Sequence, residues 1–321
     1  MKKVICWILM CLCIFLFSGC LGCWNKSVTG ADGTEYESYQ EACRHQDFVA
    51  AYDWIDLNHG SDNDKDYVFN EELLFLTSLG TEEASNRIVY LLAEYHIPGV
   101  PVKENSYNSE EDETYQNAKD YVEGITRFNK RCDKVIDMTI AQENITLAMK
   151  ILNLYKQDID YGDYNDNDWG LTIEVHCFSW DSKVDAIEKV ASFIAGKSDS
   201  NNDDIVNLLK GFPFEGTKPS SEILSYRVSD DALQYEQSLI RYQGLCDKFL
   251  EHAIRNGNKD LALIILNLYK EDFRIYHGNY GDSKAPDGTL VGIRDYIWYN
   301  NDSKKAALQK YNEAVKAGAF K

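Results

Sequence analysis

The sequence is short of basic side chains, and this shortage excludes one class of partner. Its 321 residues hold 33 Lys and Arg against 52 Asp and Glu, a formal net charge of −19. A nucleic-acid-binding surface needs clustered basic residues that displace counterions, so we expect no nucleic acid partner. The same acidic excess makes the protein surface a poor ligand for an anionic bilayer.

Proline and paired cysteine are also scarce. The chain has five prolines and few β-branched runs, which argues against a β-rich body. Of the nine cysteines, five lie beyond residue 20, namely Cys23, Cys43, Cys132, Cys177 and Cys246. They are too sparse for a disulfide-stapled domain and form no Cys-x-x-Cys zinc pair. Cys132 and Cys246 lie on apolar stripes, so we expect buried, unreactive thiols.

Catalytic signatures are missing from the sequence. There is no Gly-x-Ser-x-Gly elbow, no phosphate-binding loop and no dinucleotide fingerprint. The six histidines show no spacing that would place two of them on one turn of a helix as metal ligands. We therefore expect a non-enzymatic protein.

The N-terminus carries a strong targeting pattern. Met1-Lys2-Lys3 precedes the apolar run Val4–Phe17, which ends in Ser18-Gly19-Cys20. This order is typical of a signal peptide, here residues 1–19. The ending resembles the lipobox of Gram-negative bacterial lipoproteins. The resemblance implies cleavage before Cys20, acylation of Cys20 with chains such as palmitate, and anchoring in the cell envelope, in the outer membrane.

Other interpretations of this region stay open. Phe17 stands where lipoboxes usually have Leu, and Cys23 is a second candidate for lipidation. No charged residue occurs from Val4 to Trp24, so the segment is long enough for an uncleaved membrane anchor. An ordinary secretory signal is the third possibility. Residues 20–34 are small and polar and predict a flexible tether.

The body contains an internal repeat. Residues 131–159 and 245–273 align without a gap at an offset of 114, with 14 identities in 29 positions. A shortened first copy begins near Ala42, with Thr81 in the place of the later Ser182 and Ser303, which we expect to cap helices. The chain therefore divides into units 35–105, 106–228 and 229–321. The repeat faintly resembles the helix pairs of ankyrin and tetratricopeptide proteins.

Each unit is predicted to form antiparallel helix pairs. Val122, Ile125 and Phe128 begin a helical stripe that continues to Thr139. Its partner runs from Ala148 to Ile159, after a short polar turn. Leu171–Cys177 alternates like a strand, but its place in the repeat favours a helix. The prediction is an all-α fold, an α-solenoid-like array of three diverged repeats.

An acidic segment in the second unit resembles an EF-hand calcium loop. Asp163, Asn165, Asn167 and Glu174 fall at the first, third, fifth and twelfth positions. Asp168 occupies the sixth position, where such loops need Gly. Calcium is therefore one candidate cofactor, and a solvated acidic loop is the alternative. Late aromatic residues form a candidate stacking surface for a glycan, with ordinary packing as the alternative. They are Tyr276, Tyr280, Trp298 and Tyr299.

Together these patterns predict an envelope lipoprotein whose helical body binds another protein as a scaffold. Its membrane attachment comes from the N-terminal lipid. The alternative is a lipoprotein that captures calcium or a glycan.

Replacing Cys20 with Ala tests the anchor. We expect Cys20→Ala to accumulate as a precursor of higher mass and to leave the membrane fraction, because no thiol remains for the acyl chains. Membrane fractionation and intact mass measure both effects. Normal maturation and unchanged partition of the variant would disprove lipidation at Cys20.

Overall fold

The computed structural model describes residues 26–102, 107–109, 112–166, 170–198, 201–219, 230–276, 283–284, 290–291 and 296–320. The signal peptide and Cys20 lie outside these residues. The chain divides into two compact units, an N-terminal unit Met1–Ala84 and a C-terminal unit Ser85–Lys321. The described residues are mostly helical, which confirms the all-α class. Short antiparallel strands accompany the helices.

The N-terminal unit opens with a small hairpin followed by three helices. The elements are β1 Val28–Thr29, β2 Glu35–Tyr36, α1 Tyr39–Arg44, α2 Phe48–Leu57 and α3 Asp62–Leu79. Tyr36 is 2% exposed and packs in the core of this unit with Trp54 and Ile55. Residues 26–34 therefore belong to the folded body, and the prediction that they form a flexible tether is wrong. The cause is Tyr36, whose burial draws the preceding chain into the hairpin.

Helix α4, Glu82–Ala93, begins at the boundary between the two units and leads into the C-terminal unit. The remaining elements of that unit follow in chain order. They are β3 Tyr107–Ser109, α5 Asp112–Ala141, α6 Ile145–Leu152, β4 Asp158–Asp166, β5 Gly170–Ser179, α7 Asp181–Gly196, α8 Asn202–Lys210, α9 Asp230–Arg255, α10 Lys259–Leu268, β6 Asp272–Tyr276, β7 Ser283–Lys284, β8 Leu290–Val291, β9 Tyr296–Asn300 and α11 Asp302–Lys316.

Two helix pairs in this unit have the same construction. The long helix α5 pairs with the short α6, and the long α9 pairs with the short α10. The expected stripe on α5, from Val122 to Thr139, is buried throughout. Leu152, Leu266, Tyr155 and Tyr269 are also buried, at 4–6% exposed. The stripes therefore point into the core, as the sequence predicts.

One kind of turn joins α1 to α2, α5 to α6 and α9 to α10. Gln46, Glu143 and Gly257 have φ values of 63°, 61° and 66°. In each case the next residue donates its N–H to the carbonyl five residues earlier, at 2.8–3.0 Å. This bond closes the helix end while the left-handed residue reverses the chain. Gly257 adopts that conformation without the steric cost that a Cβ imposes at the other two positions.

The residue after each left-handed residue caps the next helix. A side-chain oxygen accepts the backbone N–H of the residue three positions later, at 3.0–3.1 Å, in Asp47, Asn144 and Asn258. One turn therefore ends a helix and begins its antiparallel partner within four residues. The same chemistry in three copies explains why the repeat is clearest in this part of the sequence.

Two predicted helical segments are strands instead. Helix α6 ends at Leu152, and Ile159 lies in β4. Leu171–Cys177 lies in β5, so its prediction as helix is wrong. Strands β4 and β5 form a hairpin, with β3 on the other edge of β5. Burial is the physical reason, since Ile173 of β5 is fully buried against Ala118 and Val122 of α5.

The third unit has a matching two-stranded sheet. Strands β6 and β9 pair antiparallel, with Phe273 opposite Tyr299 and Ile275 opposite Ile297. Phe273 and Ile297 are fully buried against Ala232 of α9. Each long helix therefore packs against a short helix and also against an antiparallel pair of strands. The solenoid-like arrangement of three such units stays a prediction.

The contacts of two glycines show which helix of the second unit corresponds to α4. Gly99 and Gly216 have φ values of 84° and 67°, and a Cβ on them would lie 2.1 and 1.8 Å from the carbonyl oxygens of Asn117 and Asp231. Those two residues are equivalent at the offset of 114. Gly99 follows α4 and Gly216 follows α8, so α4 corresponds to α8. The prediction that Thr81 takes the place of Ser182 and Ser303 is therefore wrong.

Truncation of a core leucine tests the burial of these stripes. Leu266→Ala should lower the free energy of unfolding by about 2–5 kcal/mol, because the cavity adds to the lost transfer energy. Leu152→Ala should behave in the same way. Chemical denaturation measures both values. The matched control is Leu263→Ala on the same helix α10, where Leu263 is 41% exposed. A loss below about 1 kcal/mol at Leu152 and Leu266 would contradict the buried stripe.

Candidate functional site

A cluster of hydrogen bonds surrounds Asp158, at the start of β4. Its carboxylate accepts the backbone N–H and the hydroxyl of Ser182, at 2.8 and 2.7 Å. It also accepts an N–H of the Asn129 amide at 2.7 Å. Asn129 is 1% exposed on α5. One carboxylate therefore joins the long helix, the hairpin and the first turn of α7.

Asn129 also ends the short helix. Its amide donates to the carbonyl of Lys156 at 2.9 Å and accepts the N–H of Lys156 at 3.0 Å. The side chain thus replaces the two backbone partners that Lys156 would have in a continued helix. This exchange explains why the chain leaves the helical conformation before Ile159.

The same junction recurs around Asp272, which is 6% exposed. Its carboxylate accepts the N–H of Ser303 at 2.7 Å and the Gln243 amide at 3.3 Å. The Gln243 amide also donates to the carbonyl of Lys270 at 2.7 Å. The Oε1 atom of Gln243 is buried without a hydrogen-bond partner, whereas Oδ1 of Asn129 accepts the N–H of Lys156. The longer side chain therefore completes the junction less fully.

These contacts correct the expected roles of Ser182 and Ser303. Neither hydroxyl caps its helix, and the N-cap positions, Trp180 and Asn301, make no side-chain capping bond. A carboxylate from a distant strand accepts the N–H groups instead. A negative charge at a helix N-terminus is favoured by the helix dipole. Thr81 does accept the N–H of Ala84 at 3.2 Å, as predicted for a cap.

A second pair of equivalent polar contacts lies beside the buried cysteines. The Tyr155 hydroxyl donates to Asp133 at 2.8 Å, and the Tyr269 hydroxyl donates to Asp247 at 2.6 Å. Burial raises the pKa of both phenols well above the ordinary value, so each remains a donor. The two bonds join the end of each short helix to its long partner.

The thiols of Cys132 and Cys246 are free and fully buried, as predicted. Burial raises the pKa of each to about 12. Because the thiolate is the nucleophile, both groups are chemically quiet near neutral pH. Cys43 is also buried and free, and desolvation raises its pKa to about 11. These three cysteines therefore act as small apolar side chains.

The residues of the predicted calcium loop lie on the hairpin. Asp163 and Asn165 are in β4 and Glu174 is in β5, while Asn167 lies outside the described residues. The register places Asp163 opposite Ile173 and Gly162 opposite Glu174. The backbone is thus a β-hairpin instead of a loop between two helices. Among the residues that the structure describes, no three His, Cys, Asp or Glu side chains converge as metal ligands. Calcium binding stays a prediction.

The candidate stacking residues are distributed around the β6–β9 sheet. Tyr276 is in β6, Trp298 and Tyr299 are in β9, and Tyr280 lies outside the described residues. The Tyr299 hydroxyl donates to the carbonyl of Pro219 at 2.6 Å. Its ring packs against Phe273, with the Lys218 ammonium 4.6 Å from its centroid. Tyr299 is therefore engaged within the protein, and glycan stacking by the set stays a prediction.

Comparison of the chain with protein-family models, with curated proteins and with solved structures found no match. In the part of the chain that the structure describes, no helix combines the length and the apolar composition needed to cross a bilayer.

The Asp158 junction yields a stability prediction. Asp158→Ala should lower the free energy of unfolding by at least about 2 kcal/mol, because it removes the acceptor of one Asn129 amide N–H and of the Ser182 N–H. Thermal or chemical denaturation measures the loss. Asp160→Ala is the matched control, since Asp160 is exposed two residues further along the same strand. It should change stability by no more than about 0.5 kcal/mol. Equal effects of the two substitutions would refute the junction.

Proposed function

We propose that this chain is a lipoprotein of a bacterial cell envelope, anchored in the outer membrane through acylated Cys20. Its helical body acts as a non-enzymatic module that binds another protein. The Ser18-Gly19-Cys20 ending after an apolar run supports the anchor. The net charge of −19 supports a separate membrane attachment, since an acidic surface gains nothing from anionic lipids.

Exposed aliphatic side chains on α10 are the observation that supports protein binding. Leu263 and Ile264 are adjacent in sequence and each is 41% exposed. The equivalent positions on α6 are Met149 and Lys150, and Lys150 donates to Asn86 at 3.0 Å. The third unit therefore exposes an aliphatic pair where the second has a lysine with a hydrogen-bond partner. Burying these two side chains against a partner would remove their apolar surface from water, which is favourable.

The groups that could perform chemistry support a non-enzymatic module, because they serve packing. The buried thiols are protonated at neutral pH, and the buried phenols donate to carboxylates that join helices. Helix-pair proteins commonly use their helix faces to bind peptides or proteins. The aliphatic pair on α10 is such a face.

Substitution of the aliphatic pair tests protein binding. The variant Leu263→Glu with Ile264→Glu should lose cross-linking to its envelope partner, because a charged face cannot be desolvated in an apolar interface. Cross-linking of the full-length protein in intact membranes measures this loss. Asn267→Glu, at an exposed site on the same helix, should keep the cross-link. Matching melting temperatures establish that the variants fold. An unchanged cross-link in the double variant would rule out this face.

A further inference from the structure

The folded body begins very close to the proposed lipid site. The backbone N–H of Lys26 donates to Oδ1 of Asn58 at 2.7 Å, and Nδ2 of Asn58 donates to the Lys26 carbonyl at 2.9 Å. The same Nδ2 also donates to the carbonyl of Trp54 at 2.9 Å. Asn58 is the C-cap residue of α2. The first described residue is therefore bonded in both directions to the end of a helix.

The segment after Lys26 is attached along its length. Strands β1 and β2 pair Val28 with Tyr36, and Tyr36 is 2% exposed. The Trp54 indole donates to the carbonyl of Glu37 at 3.0 Å. A Cβ on Gly30 would lie 2.3 Å from the Asp47 carboxylate, so the hairpin turn lies directly against the α1–α2 connection. Detaching this arm would expose Tyr36 and break all of these bonds, which makes it a fixed part of the N-terminal unit.

The distance from Cys20 to this attachment point has a strict upper bound. Lys26 follows Cys20 by six positions, with five residues between them. A fully extended chain covers at most about 3.3–3.6 Å per residue, so the two Cα atoms lie within about 20 Å of each other. The intervening residues carry no charge and include Trp24.

We infer that one defined end of the N-terminal unit lies next to the lipid bilayer. This end consists of Lys26, Leu57, Asn58 and His59, and it stays within about 20 Å of the headgroups. Leu57 is 42% exposed and His59 is also exposed, so both are free to meet the interface. The inference rests on the proposed lipidation of Cys20. Beyond that proposal, it identifies the surface of the protein that faces the membrane.

Helix α3 provides a matched pair of reporter sites. It begins at Asp62, four residues after Asn58, and runs to Leu79. Asn63 in its first turn and Ser78 in its last turn are both exposed. At 1.5 Å per residue the two sites are about 22 Å apart. A fluorescent amino acid at either site, in the full lipidated chain, reports its distance from the bilayer.

The experiment measures Förster transfer to a headgroup-labelled acceptor in phosphatidylcholine vesicles. We expect higher transfer from position 63 than from position 78. Inserting twelve Gly and Ser residues after Asn25 triples the maximum reach, and should lower transfer from position 63 to near the value at position 78. Equal transfer from both sites in the original chain, or no effect of the insertion, overturns the inference.

Lipidation is scored separately in the same samples, by intact mass and vesicle co-flotation. A lipidated, vesicle-bound protein with equal transfer from the two sites refutes the short attachment alone. A chain without acyl mass that does not float refutes the proposed anchor, and the inference falls with it. The two failures are therefore distinguishable.

Discussion

The hydrogen-bonded carboxylates of Asp158, which is half-buried, and Asp272, which is buried, are the constraint on which the rest of the C-terminal unit depends. Each begins a strand, accepts an amide from a long helix and accepts the first N–H groups of a later helix. A buried carboxylate is costly unless such donors surround it. The donors come from sites 24–31 residues away in sequence, so the cost is offset only when the long helix, the strand pair and the helix that follows it assemble together. These bonds therefore connect elements of each repeat that are distant in sequence.

Helix α7 of the second repeat in turn contacts the long helix α9 of the third. Arg241 on α9 contacts three acidic residues of α7, including Glu188 at 2.8 Å. Lys248 donates to Ser192 at 2.8 Å, and the His252 ring lies 2.9 Å from the carbonyl of Ala195. These contacts follow α7 from its first turn to its last. An error in placing α7, which Asp158 positions, would therefore displace α9 and the whole third unit.

The sequence predicts those parts of the fold that short-range periodicity determines. The stripe from Val122 to Thr139 and the turns before Asn144 and Asn258 are local patterns, and the structure contains them. The strands escaped prediction because their stability comes from distant partners. Ile173 is buried by α5, some fifty residues earlier in the chain. For the segment around Ile173, the alternation of apolar and polar residues predicts the strand correctly. The position in the repeat shows only that two segments correspond, and does not show whether they are helices or strands.

The candidate site shows the same limit. The sequence predicts that the hydroxyls of Ser182 and Ser303 cap their helices, since a serine at a helix start is the usual local solution. The carboxylates that perform this role lie on strands, and only the fold brings them there. One signal for them was available. Asp158 and Asp272 occupy equivalent positions at the close of the repeated segment, beside unequal neighbours. An identity retained outside the apolar stripe indicates a polar role.

The hairpin at the start of the body alters how an acidic lipoprotein would meet a membrane. A long tether would let a body of net charge −19 diffuse away from an anionic surface that repels it. With residues 26–34 folded against α1 and α2, that freedom is lost, and the acyl chains must oppose the repulsion at short range. The short attachment would determine which surface of the protein faces the bilayer. The negative net charge would keep the remaining surface away from anionic lipids. Orientation at the membrane would then follow from the folded arm, and the helix faces elsewhere would serve recognition.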